Sequence, residues 1–188
     1  MNIIYKIILD PGHGGTDSGG GCSSFFKEKD KVLKISLYQA ALLMDANIPV
    51  VLTRYEDITL PSDKRTKIVR ESGAKLCISN HVNAGGGTGF EVFHSIHAQP
   101  TFAQCIVDRL GTSNMPARKP PVKTRESTNG GDYYFMHKKT GSVQTAIVEY
   151  GFGDNLNDAK KVNEYWQEYA QLVVEGIIDY YKKMGWYK

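Results

Sequence analysis

Short apolar runs rich in β-branched residues recur along this chain, with segments of helical period between them. Residues 3–9 (IIYKIIL), 49–53 (PVVLT), 75–79 (KLCIS) and 144–149 (QTAIVE) are nearly continuous in apolar character, as strands covered on both faces are. Residues 31–47 place Val32, Ile35, Leu37, Ala40, Ala41, Leu42 and Met44 at helical spacings, and Pro49 marks their end. Residues 60–72 open with Pro61 and Ser62 and are rich in Lys, Arg and Glu, which predicts an exposed helix. Two further helices are predicted over 100–110 and 158–184, the last with an apolar stripe through Val162, Tyr169, Val173, Ile177 and Tyr180. Residues 89–94 (GFEVFH) alternate as another strand, and the Pro-, Gly- and Thr-rich stretch 115–131 reads as a long surface loop. Strands alternating with helices predict one α/β domain over residues 1–188: a twisted, mostly parallel sheet flanked by helices on both faces.

The composition agrees with that expectation. With 41% hydrophobic and 23% charged residues, 188 residues suffice for an ordinary globular core. No stretch approaches the roughly 20 apolar residues that cross a bilayer, so no membrane insertion is expected. The N-terminal apolar run passes directly into a glycine turn with no cleavage-like site, which predicts synthesis in the cytoplasm without a signal peptide. Cys22, Cys77 and Cys105 are odd in number and form no CxxC unit, against both a disulfide framework and a zinc ribbon. The formal charge of +3 is too mild to suggest a nucleic-acid partner. Locally, Arg118, Lys119, Lys123, Arg125, Lys138 and Lys139 outnumber Glu126 and Asp132. A solvated loop is the plainer reading of that run; a basic rim beside a site for an acidic polymer is the functional one.

Three polar side chains fall at predicted strand ends. His13 follows the first strand in ILDPGHGGTDSGGG, His81 follows KLCIS in SNHVNAGGG, and Glu149 closes QTAIVE. Ligands of open parallel sheets bind beyond the carboxyl ends of the strands, so distant parts of the chain would deliver these groups to one edge. A phosphate cradle would need a Walker lysine or a GxGxxG opening a helix, and GHGGTDSGGG has neither. Two imidazoles suit a metal such as zinc, whose catalytic sites take three protein ligands and keep one open position. The third ligand would be a carboxylate from FFKEKDKVLK, where Glu28 and Asp30 stand on equal terms; either acid also serves simply to complement a helix dipole.

DPGHGG, KEKD, ISNHVNA and VEYGF, in that order from about Ile7 to Asn155, resemble the zinc-dependent N-acetylmuramoyl-L-alanine amidases of the type 3 family. These enzymes cut peptidoglycan, as phage endolysins or bacterial autolysins. The resemblance implies that His13, Glu28 and His81 hold one Zn²⁺ per chain and that Glu149 is the catalytic acid/base. It implies hydrolysis of the amide joining the muramic acid lactyl group to L-alanine of the stem peptide, at the cell wall, by a monomer that can be fused to a separate wall-binding domain. Asn80, before the second histidine, replaces the family's usual nonpolar residue, and residues 125–143 follow its pattern poorly. Two rival functions remain at this stage: a zinc peptidase cutting within the stem, and an inactive wall-binding module of the same fold.

The remaining polar residues carry weaker expectations. His94 and His97 share an i, i+3 spacing that would bind a metal only in a helix, and His137 beside two lysines is expected at the surface. Glu91 is read as outward facing or as a substrate contact. Cys22 is read as a packing residue, Asn83 as a group that orients substrate, braces the site or caps its turn, and Asp10 as a hydrogen-bond partner for a ligand histidine.

Overall fold

The computed structural model describes residues 5–187. Its elements are β1 (Ile7–Pro11), α1 (Glu28–Asp45), β2 (Val50–Leu52), α2 (Ser62–Glu71), β3 (Leu76–Asn83), β4 (Phe90–His94), α3 (Thr101–Leu110), β5 (Ala117–Lys123), α4 (Phe135–Lys138), β6 (Gln144–Phe152) and α5 (Leu156–Lys183). One six-stranded sheet has the order β2-β1-β3-β6-β4-β5. The strands from β2 to β6 pair in parallel, whereas β4 runs antiparallel to β6 and carries β5 parallel to itself at the edge.

Alternate residues of each central strand feed two cores. Ile7, Leu9, Leu76 and Ile78 pack on one face with the buried sides of α1, α3 and α5. Ile8, Cys77 and Ile147 pack on the other with Val69 of α2 and Met136 of α4. Helices therefore cover both faces, and the continuous apolar character of the central runs follows from that double burial. Each such aliphatic side chain contributes about 1.5–3 kcal/mol on leaving water.

Local chemistry sets the boundaries that periodicity left loose. The first helix ends at Asp45 because Asn47 adopts φ 58, with Ile48 N–H reaching back to Leu43 O at 2.8 Å. That is a left-handed helix closure, with asparagine where glycine more often stands. The last helix starts at Leu156 because the Asn155 side chain accepts from the N–H groups of Asn157 and Asp158. The first strand is described from Ile7; residues 3 and 4 of the predicted run lie outside the described residues.

Three expectations are corrected. The stretch predicted as a loop contains β5, whose Pro120 and Pro121 are tolerated because an edge strand leaves one side without ladder bonds. The helix α2 is not simply exposed: it buries Arg65, Thr66 and Val69. His137 is buried in the short helix α4 and not at the surface, because Met136 and His137 turn beneath the sheet while Lys138 and Lys139 face solvent.

Candidate metal centre

The turn after β1 is held from both sides. Gly12 N–H donates to Asn80 O of β3 at 3.1 Å. A Cβ at position 12 would overlap the His81 ring, so only glycine permits this approach. Two buried guanidiniums collect the carbonyls of the turn. Arg65 donates to Pro11 O and His13 O, each at 2.7 Å, and Arg54 donates to Pro11 O at 3.1 Å and Gly12 O at 2.8 Å. His13 itself adopts φ 59, a left-handed conformation that costs a non-glycine residue energy and persists because its surroundings over-determine it.

Asp10 is fully buried beneath this turn. Its carboxylate accepts from Thr53 Oγ1 and Arg65 Nη1, both at 2.6 Å, and from Ser79 Oγ at 2.7 Å. Burial pushes its pKa up, but Arg65 and the two hydroxyls outweigh that and hold it below the ordinary value. Asp10 thus anchors Arg65, and does not bond a ligand histidine as expected.

His13, Glu28 and His81 meet at one point. One donor atom from each lies within 4.8 Å of the others. Glu28 Oε1 stands 3.1 Å from both His13 Nε2 and His81 Nδ1. Backbone N–H groups fix the carboxylate: Val82 N donates to Oε1 at 3.0 Å and Gly21 N to Oε2 at 2.7 Å. Glu28 is the first residue of α1 and 1% exposed, whereas Asp30 faces solvent. The two imidazole rings lie edge to face, 5.0 Å apart. His81 lies inside β3 and not beyond it, because pairing with β6 continues through His81↔Glu149 to Asn83↔Phe152.

That register delivers Glu149 next to His81. Its Oε2 is buried without a hydrogen-bond partner. Burial pushes its pKa up to about 7. Across the gap, burial pulls the His13 pKa down, but Glu28 and Asp17 prevail and raise it to about 9. Burial likewise raises Glu28, yet the two imidazoles win and depress it strongly. Two imidazole nitrogens and a buried carboxylate converging on one point form a donor set that suits a divalent cation, and the orphaned Glu149 oxygen marks the polar space beside it.

Sequence reasoning missed the residues that brace these groups. Asp17 Oδ2 lies 2.8 Å from His13 Nδ1, and only its position four residues after the histidine hinted at it. Arg54 and Arg65 gave no signal beyond charge. Glu91 is buried opposite Glu149 on β4, pairs with Arg118 and Lys123, and accepts from Asn83 Nδ2 at 2.7 Å. Asn83 is therefore a brace that also caps its own turn through Ala84 N. Asn80 is satisfied in a buried network, donating to Ser36 Oγ and Gln39 Oε1 and accepting from Tyr150 OH. Cys22 Sγ faces Ser18 O and Gly19 O beside the site and contributes no donor to the convergence. His94 bonds the Ser95 carbonyl, His97 is exposed, and neither joins the cluster.

Fold and site together define an α/β protein with a two-histidine, one-carboxylate constellation at the carboxyl edge of its parallel strands, suited to a metal ion. The chain belongs to the N-acetylmuramoyl-L-alanine amidase family, whose sequence model matches residues 7–179. It is 32% identical over 177 residues to the N-acetylmuramoyl-L-alanine amidase CwlM of Bacillus licheniformis, covering 92% of this chain and 66% of that protein. It is 29% identical to the sporulation-specific N-acetylmuramoyl-L-alanine amidase of Bacillus subtilis (strain 168), covering 85% of this chain and 60% of the relative. The chain thus spans less than two thirds of either relative's length. The solved structure of Cwp6 from Clostridium difficile superposes with a TM-score of 0.83 at 30% identity, covering 92% of this chain and 28% of that one.

Proposed function

We propose that residues 1–188 form the catalytic unit of a zinc-dependent N-acetylmuramoyl-L-alanine amidase acting on peptidoglycan at the cell wall. His13, Glu28 and His81 would hold one Zn²⁺, and Glu149 would be the acid/base. The observation that carries this reading is the convergence of those three donors beside the half-buried Glu149, whose Oε2 is buried without a partner. Family membership supplies the substrate, and no described helix is long and apolar enough to cross a membrane.

Zinc held by these three residues would supply Lewis acidity to the scissile carbonyl and to the attacking water. The chain's own groups do the rest. Asp17 on Nδ1 orients His13 so that Nε2 is turned toward Glu28, where it would serve as a ligand. Glu28, pinned by two backbone N–H groups, keeps its charge in a buried place. Glu149, with a pKa pushed to about 7, can accept a proton from the attacking water and return it to the amide nitrogen near neutral pH. The carbonyl carbon gains the water oxygen, the C–N bond breaks, and the amine departs neutral. The products are a lactyl carboxylate on muramic acid and a stem peptide with a free L-alanine amine.

Incubation of the zinc-loaded protein with purified sacculi tests this. New L-alanine amines together with intact sugar chains are expected. New amines only within the stem would make it a peptidase, and no new termini at all would leave a wall-binding module.

A further inference from the structure

The edge strand β5 carries Arg118 to the rim beside Glu149, and three neighbours fix its guanidinium. Glu91, the strand partner of Glu149, takes Arg118 Nε at 2.9 Å. The Phe152 ring lies against the guanidinium, 4.9 Å from Cζ to the ring centroid. Gly87 packs beside Nη1 and the Phe152 ring, where a Cβ would overlap both. Asn155 Nδ2 donates to Gly87 O at 3.1 Å and Asp154 takes the N–H groups of Gly85 and Gly86, so the loop carrying Gly87 is itself tied down.

Glu91 Oε2 also receives Lys123 Nζ. Lys123 alone neutralises Glu91, so the charge of Arg118 is surplus to that pair. Arg118 meets Glu91 through Nε, and among the described residues its Nη1 and Nη2 groups make no side-chain hydrogen bond. The Arg118 side chain is 32% exposed and is held by a brace, Glu91, that is 5% exposed. Arg118 lines a groove of ≈ 460 Å³ together with Gly86, Gly87, Thr88, Lys119 and Asn155. A braced, surplus guanidinium that lines a groove, with no hydrogen bond on its two Nη groups, offers donors to a carboxylate. Preorganisation by Glu91, Phe152 and Gly87 removes the ordering cost that a free surface arginine would bear on binding.

We propose that Arg118 is a specificity-determining residue whose Nη1/Nη2 edge binds a carboxylate of the stem peptide, with Lys119 as the second cation of the groove. The inference rests on the amidase reading and adds to it the substrate class: stems with free carboxylates over stems in which they are amidated. Glu91 and Phe152 are positioning residues that act through Arg118.

The test uses the zinc-loaded full chain and two muramoyl-tetrapeptides, identical except that the carboxylates are free in one and amidated in the other. The wild type is expected to show a KM about 10–100-fold lower for the free form, the range of a charge-assisted pair, with similar kcat. In Arg118→Gln the KM for the free form rises to that of the amidated one, while zinc content and melting temperature stay at wild-type values. Arg118→Lys, which keeps the charge but not the fork, falls between. Equal KM values for both substrates in the wild type, or an equal rise for both in Arg118→Gln, overturn the inference and leave the amidase reading intact. A wild type inert on both overturns the amidase reading and the inference together. If Arg118→Gln does not fold, Lys119→Gln is read instead: a preference reduced several-fold supports the groove, and an unchanged preference overturns it.

Discussion

Asp17 Oδ2 lies 2.8 Å from His13 Nδ1, so the ring nitrogen turned toward Glu28 and His81 is Nε2. A carboxylate on the far nitrogen fixes both the tautomer and the ring plane of a histidine that must present a lone pair. Asp17→Ala should weaken zinc binding about 10–100-fold with little change in thermal stability, because its side chain is largely exposed. Competition titration against a chelator measures this; unchanged affinity would mean that the contact is incidental.

On the proposed reading the site divides into groups that would hold the ion and one that would move a proton. His13→Ala should lose zinc and activity together. Glu149→Gln should retain stoichiometric zinc while turnover on sacculi falls about 10²–10⁴-fold, the usual worth of a positioned acid/base. Metal analysis beside an assay for released amines separates the two roles, and zinc loss in Glu149→Gln would assign that residue to the ligands.

Arg65 is the hinge of the turn's support. Removing it leaves Asp10, fully buried, without its cation, so Arg65→Ala should destabilise the fold by about 3–5 kcal/mol. Asp10→Asn in the same chain should recover part of that loss, since no buried charge then lacks a partner. Urea denaturation of the single and double variants gives the comparison; strict additivity would contradict the pairing.

His137 provides a pH signature away from the metal. Burial lowers its pKa from 6.5 to about 4, outweighing Asp132 at 4.0 Å and the nearby backbone of Thr145 and Phe93, which favour the charged ring. Below 6.5 the unfolded chain takes up this proton while the folded chain refuses it. Stability is therefore complete above pH 6.5 and falls progressively toward pH 4, by about 3 kcal/mol from this residue. His137→Phe should flatten that part of the stability profile relative to wild type. An identical acid slope in both proteins would show that carboxylates alone set it.

The order of strands and helices was legible because double burial leaves continuous apolar runs, and because helical stripes repeat at a different period. His13, His81 and Glu149 stood out since each follows a buried run at the edge where parallel strands end. Less was legible where one residue's identity carries several meanings. Glu28 and Asp30 are alike in sequence, and only the rotation of α1 buries the first against Gly21 and Val82 and turns the second to water. Pro120 and Pro121 suggest a loop until an unpaired sheet edge accepts them. His137 looked exposed beside two lysines because a single-turn helix has too few residues to show its period.

Local pattern thus declares which segments are strands, which are helices, and which turns must be glycine, since those properties depend on neighbours a few residues away. Whether two distant imidazoles come together is decided by strand register instead: β1, β3 and β6 pair so that Pro11 lies beside Asn80 and His81 beside Glu149. The bracing of that edge is likewise tertiary. Asp10–Arg65, Asp17–His13 and Arg118–Glu91 acquire their meaning from distance and burial, and neither is written in a residue's own identity.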